Sequence, residues 1–317
     1  MLPATMNTEH GQTLSPHRWY GPWLVALGAG LWGTESAFRI PLNDLFAPEI
    51  IVLWEHLILV ALFAPLVISR LHELRTVSAR TLAWLVLSGV AGSAVGTVFF
   101  TLALKTGNPT VVNVVLNIQP VLSTSAAWLV FHDRFGRSFF VWAAIAVAAG
   151  IALVLSPADP DAPMTAYLDA ATGYALICAL FWGLATVAGR AVMLEMSLSL
   201  ASGLRLVVGL VTMLIITAAR GLLHTNSLWP PAAAAHAQTA GVWMVLLAVL
   251  SGGVPLLIYF AGLRLTRASL AGYFEMMQTL VAVAVTWGFF HAALAPHQVV
   301  AALILIGAVV MVQRAQQ

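Results

Sequence analysis

The sequence predicts an all-α, polytopic membrane protein of about ten transmembrane helices, arranged as two inverted five-helix repeats. Three observations predict it. Of 317 residues, 61% are apolar and only 8% are charged, whereas a soluble globular chain is about half apolar and about a quarter charged. So little charge cannot coat a water-soluble particle of this size. Apolar runs of about 20 residues, long enough to cross a bilayer as helices, recur between short polar breaks. Finally, the second half of the chain echoes the first at a nearly fixed offset.

Taken in order, the first run is 22–41. It contains "GAGLWG" (28–33), which spells the GxGxxG of dinucleotide-binding enzymes. That motif needs a strand before it and a βαβ unit around it, and neither is possible within a lipid-spanning helix. The sequence predicts instead a close-packing face of small residues at Ala26, Gly30 and Thr34. The second run, 48–69, carries Glu55 and His56, adjacent residues that are expected on different helix faces. The third, 82–104, holds Gly92 and Gly96, a GxxxG of the same packing kind. "GNPT" then ends one helix at Gly107, caps the next with Asn108 and starts it at Pro109, opening the fourth run, 109–132. The fifth, 137–156, leads into the acidic, proline-rich "SPADPDAP".

The sixth run, 171–194, contains the single cysteine, Cys178, which excludes an internal disulfide framework and reads as a small buried side chain. The seventh, 198–219, carries Arg205 and precedes the longest polar break, which begins "LHTNSLWPP". The eighth to tenth runs are 240–263, 268–290 and 296–313. The N-terminal stretch has no apolar core with a small-residue cleavage site, so the first apolar run is expected to stay in the mature protein.

Basic residues set the expected orientation. With the N-terminus in the cytoplasm, the inner segments carry ten: Arg18, Arg70, Arg75, Arg80, Arg134, Arg137, Arg190, Arg264, Arg267 and Arg314. The outer side holds three, Arg39, Lys105 and Arg220. This asymmetry predicts a multi-pass protein of the cell inner (plasma) membrane with both termini cytoplasmic. The same scattering of cations between apolar runs argues against a nucleic-acid partner, despite a pI near 9.0.

The repeat is visible residue by residue. "GLWG" at 30–33 recurs as "LFWG" at 180–183, an offset of 150 that also matches Glu55 to Arg205. "WLVFH" at 128–132 matches "WGFFH" at 287–291, an offset of 159 that pairs Lys105 with Arg264 and Gln119 with Gln278. Because five is odd, the second copy lies upside down relative to the first. The domains are therefore 22–156 and 171–313. Inverted repeats of this kind typify secondary transporters, with the solute site near the midplane where the copies meet.

These residues resemble the EamA-type transporters of the drug/metabolite transporter superfamily. The resemblance rests on the Trp-Gly in the first helix of each half, the Arg in the second helix of the second half, and Gln119-Pro120 before "AAWLVF". It covers about residues 22 to 313, and it implies export or exchange of small organic solutes, with amino-acid and metabolite exporters the nearest group. The chain departs from the family at Glu55, where an Arg is common, and at Thr279, where a Pro is. Its acid after the fourth helix is Asp133, whereas the matching position after the ninth is Ala292.

Charges within a bilayer are costly and mark functional candidates. Glu35, Arg39, Glu55 and His56 fall in the outer third of their helices, and Arg205 and Glu275 in the inner third, which suggests two sets of gating or coupling charges. Glu35 can pair with Arg39 one turn away, and Arg205 is expected to pair with Glu275. A polar stripe at Asn113, Asn117, Pro120 and Thr124, with Gln119 beside it, reads either as helix–helix hydrogen bonding or as a solute pathway. Its repeat mate comprises Gly272, Glu275, Met276 and Thr279. Trp32 and Trp182 sit mid-helix as symmetric partners, either walls of a cavity or filler in the seam, and Tyr259 matches Phe100. Trp19, Trp23 and Trp229 read as interface anchors.

No HExxH, GxSxG or metal-spaced acid–His cluster occurs, so no catalytic residue, metal or cofactor is expected. The predicted function is a secondary transporter that moves small organic solutes, amino acids or related metabolites, by alternating access. Its partners are the solute and the lipid bilayer. A nucleotide-sugar or lipid-linked sugar transporter or flippase stays open, as does, in another class, an intramembrane enzyme or a non-transporting membrane subunit.

Overall fold

A computed structural model describes residues 19–107, 109–133, 135–154, 170–290 and 296–315. The expectations at Arg18, Asn108, Arg134, His291 and Ala292 and in the 156–163 loop lie outside these residues.

Every described element is helical. The first span is broken: α1 (Gly21–Trp32) gives way at Gly33–Thr34 to α2 (Glu35–Asn43). α3 (Pro48–Arg70) starts on a proline, where the missing N–H costs nothing. The third span is α4 (Ala79–Leu87), a π-helical stretch at Ser88–Val95, and α5 (Gly96–Thr106). The Ser78 hydroxyl caps α4 by accepting the Thr81 N–H at 3.1 Å. α6 (Pro109–Leu116) and α7 (Gln119–Phe131) form a broken fourth span, and α8 (Arg137–Val154) the fifth.

The second half follows the same plan. α9 (Ala170–Met193) and α10 (Leu198–Ala219, capped by Ser197) are long and unbroken. Two short helices, α11 (Thr225–Leu228) and α12 (Pro231–Ala235), occupy the long polar connection. The eighth span is α13 (Ala237–Leu246), a π-helical stretch at Leu247–Gly253, and α14 (Val254–Leu263). α15 (Ala268–Glu275), α16 (Met277–Phe290) and α17 (Pro296–Arg314) complete the chain. Among the described residues, six helical stretches are long and apolar enough to cross a membrane. The count of about ten is thus met in part, because breaks shorten spans such as the first and fourth.

The halves are interleaved. α1 packs on α14 and α16, and its repeat mate α9 packs on α5 and α7, so the first helix of each half lies against the third and fourth spans of the other. α3 packs on α10 and α8 on α17, each helix against its own mate. Glycines permit the closest of these approaches. A Cβ at Gly28 would lie 2.8 Å from the Tyr259 backbone nitrogen, and one at Gly33 would lie 2.5 Å from the Gln278 carbonyl. The packing face therefore differs from the expected one. At Gly30 an added Cβ would meet only Val281, at 3.4 Å, because Gly30 faces a side chain rather than a neighbouring backbone. Gly92 is tight as expected, its Cβ position being 2.6 Å from that of Ala185.

One end of the bundle is tied by reciprocal caps. The Ser78 N–H donates to Glu195 at 3.3 Å, and the Ser197 N–H donates to Glu73 at 3.3 Å. Each half thus supplies the carboxylate for the other half's helix start. At the opposite end Arg220 pairs with Glu49 at 3.5 Å, and Lys105 donates to the Phe46 carbonyl at 3.0 Å.

Candidate solute cavity

Helix breaks, π-helical stretches and paired tryptophans converge on one central cavity of about 90 Å³. Trp32 of the first half and Trp182 of the second both line it. Trp32 leans on Tyr259 with ring centroids 4.8 Å apart, and Trp182 leans on Phe100 at 5.2 Å. The two pairs are repeat images, each joining a tryptophan of one half to an aromatic of the other. Tyr259 lines the cavity, whereas Phe100 backs its wall.

The first-half charges form a buried cluster. Arg39, with no exposed surface, donates to Glu35 one turn earlier, to Glu55 at 2.9 Å and to the Thr101 hydroxyl at 3.1 Å. Glu35 and Glu55 face the cavity while Arg39 stands behind them. Burying a guanidinium is tolerable only with such partners, because an unpaired ion there costs several kcal/mol. His56 also lines the cavity, from a different face of α3 than Glu55. α3 is covered on two sides, so neighbouring positions about 100° apart are both interior. The His56 Nδ1 contacts the Val52 carbonyl at 2.8 Å, and its Nε2 has no hydrogen-bond partner among the described residues.

The expected Arg205–Glu275 ion pair is not formed among the described residues, although both groups line the same cavity. Glu275 is taken by three donors: the Tyr259 hydroxyl at 2.6 Å, the Thr186 hydroxyl at 3.0 Å and the Gln119 amide. Arg205 donates through Nε to the Ser93 hydroxyl at 2.9 Å, and its guanidinium lies over the Phe260 ring, 5.2 Å from the centroid. Charges expected at two depths therefore surround one space.

The two π-helical stretches occupy equivalent repeat positions and serve equivalent residues. Gly92 and Ser93 lie against Arg205, while a Cβ at Gly252 would lie 3.4 Å from Glu55. A π turn widens the helix locally and is often found at functional sites. Here the glycines let the long charged side chains of α10 and α3 pass.

The polar stripe divides. Gln119 joins the central cavity, whereas Asn113, Asn117 and Thr279 line a smaller one between the fourth and ninth spans. Thr124 instead donates to the Ser269 carbonyl at 3.3 Å, and Ser269 in turn donates to Asp133 at 2.6 Å. Sequence reasoning missed Ser93, Thr186 and Ser251. The signal for Thr186 is its place one turn after Trp182; Ser93 sits between two paired glycines.

With this geometry in hand, the comparisons become interpretable. The family model of EamA-like transporters matches residues 19–156 and 170–314. The riboflavin transporter ImpX of Fusobacterium nucleatum subsp. nucleatum is 24% identical over 303 residues, covering 93% of this chain and 97% of that protein. A solved crystal structure with 18% identity superposes with a TM-score of 0.69 over 95% of this chain and 100% of the other, which shows a shared fold.

Proposed function

The chain belongs to the EamA-like transporter family, and on that premise we propose that it carries an amino acid or related small metabolite through the central cavity by alternating access. The observation that carries this reading is the cavity itself, walled by Trp32 and Trp182 from opposite halves and bearing charges of both signs. The Arg205 guanidinium offers its Nη donors to a carboxylate. Glu35, Glu55 and the unpartnered His56 Nε2 offer acceptors to an ammonium group. The aromatic faces take the apolar part of the solute. Both termini are cytoplasmic in the inner membrane, a reading supported by the ten basic residues on one side against three on the other, and in this proposal the solute moves outward.

A second reading is favoured by the relative named as a riboflavin transporter and by the paired aromatic walls, which suit a flat heteroaromatic solute. Flux into proteoliposomes separates the two. Counterflow of amino acids with no riboflavin counterflow supports the first reading; riboflavin alone supports the second. No flux of any solute contradicts both.

A further inference from the structure

The fourth and ninth spans break at the same place in the two repeats. α6 ends just before Asn117 and α15 just before Met276, positions 159 apart, the offset of this part of the repeat. Between the breaks lies the second cavity, about 20 Å³, which shares Gln119, Glu275 and Gln278 with the central one. Glu275 therefore stands in the wall between the two.

Three amide nitrogens around this space, those of Asn113, Asn117 and Gln119, are already committed, while Gln278 lines it as well. Asn113 Nδ2 donates to the Pro109 carbonyl at 2.9 Å, Asn117 Nδ2 to the Asn113 and Gly150 carbonyls at 3.0 and 3.1 Å, and Gln119 Nε2 to Glu275. Thr279 spends its proton on Asn117 Oδ1 at 3.0 Å. Amide, hydroxyl and carboxylate oxygens remain, and hard oxygens suit a small hard cation. The C-terminal ends of α6 and α15, which carry partial negative charge, converge on the same place.

Charge argues for a single positive unit. The titratable and charged groups facing Glu275 are Tyr259 and, across the central cavity, Arg205, with Glu35, Glu55 and His56 further round the wall and Arg39 behind it. Counting carboxylates and guanidinium groups alone, three against two leave one negative charge uncompensated. A monovalent cation neutralises it; a divalent one overshoots.

We infer that the paired helix breaks and Glu275 form a coupling site for one small monovalent cation, Na⁺ held among the oxygens or H⁺ on the Glu275 carboxylate. The inference rests on the transporter reading only for its coupling role. Gln119 belongs to the first half, while Glu275, Thr186 and Tyr259 belong to the second. Relative motion of the halves therefore changes the shell around the carboxylate, and occupancy of the site biases that motion.

The test uses the full-length purified chain. Binding of ²²Na⁺ and an infrared titration of protonated carboxyl groups are measured for wild type, Glu275→Gln and Thr279→Val, with thermal stability recorded for each. The expected result is either one Na⁺ per chain or one buried carboxyl that titrates, lost in Glu275→Gln. Loss of Na⁺ binding in Thr279→Val as well assigns the oxygen cage; a titrating carboxyl retained there assigns the proton. In proteoliposomes the matching gradient, Na⁺ or pH, drives solute accumulation at least tenfold better in wild type than in Glu275→Gln. Neither Na⁺ binding nor a Glu275-dependent carboxyl signal overturns the site, whether or not any solute moves. A site that binds while no solute moves leaves the cation site standing and removes the transport reading.

Discussion

Glu55 of α3 accepts a hydrogen bond from Arg39 of α2 at 2.9 Å, where Arg39 is fully buried and Glu55 stands at the cavity wall. The same guanidinium also serves Glu35, so the cation is shared by two carboxylates. Removing the shared cation should then cost more than removing one acceptor. Arg39→Leu should destabilise by roughly 3 to 5 kcal/mol, the range for orphaning buried charge. Glu55→Gln, which leaves Arg39 with Glu35, should cost about 1 to 3 kcal/mol. Unfolding of both variants in the same detergent decides it, and equal losses would contradict the shared-cation arrangement.

Two glycines two positions apart in one motif, Gly28 and Gly30, should behave differently. Gly28→Ala drives a methyl group to 2.8 Å from the backbone of α14, whereas Gly30→Ala meets a single methyl at 3.4 Å. The first should cost about 1 to 3 kcal/mol, as overpacking does, and the second well under 1 kcal/mol. Comparison of melting temperatures checks the order. Its reversal would mean that α1 is rotated from the position described.

Much of this was legible in the sequence. Span length and low charge gave the helices, because a bilayer imposes both. The repeat offsets correctly matched Trp32 with Trp182 and Phe100 with Tyr259, because inversion puts mates in equivalent surroundings. The π-helical stretches and the α6–α7 break were not legible, since rerouting one or two backbone hydrogen bonds leaves no mark on composition. Thr186 and Ser93 were hidden for another reason. Thr212 and Thr217 show the usual fate of a membrane hydroxyl, bonding the carbonyl four residues back at 2.8 and 2.7 Å. The sequence does not reveal which hydroxyl has a second task. The expected Arg205–Glu275 pair failed on just this point, because hydroxyls and an amide supplied the partners.

At the tied end of the bundle, the Thr81 hydroxyl and then Ser78 hold the Glu195 carboxyl below the ordinary carboxylate range. A lowered folded pKa contributes stability above the unfolded value, roughly 4.3, and that contribution is lost as pH falls through the folded value. The melting-temperature gap between wild type and Glu195→Gln should thus be present at pH 7 and close on acidification below about pH 4. The effect is small because Glu195 is exposed. A gap that widens with acid would show that the cap is not charge-assisted.

Arg205 is expected to recognise a carboxylate on the solute. Arg205→Leu should raise KM for a carried amino acid at least tenfold, and Ser93→Ala, which frees the guanidinium from its Nε contact, should raise it severalfold, in line with about 1 kcal/mol for a hydrogen bond. Amine analogues lacking the carboxylate should show no change in either variant. An unchanged KM for the amino acid in Arg205→Leu would remove Arg205 from solute recognition.

The account stands or falls on the central cavity being reached from both sides of the membrane in turn. Cysteine placed at Ser93 or Thr186 in a Cys178→Ala background lies on that cavity's wall. Membrane-impermeant thiol reagents applied separately to each side of oriented vesicles should label both positions from either face, and a transported solute should slow the labelling. Labelling from one face alone, unchanged by any solute that the protein moves, would contradict alternating access through this cavity.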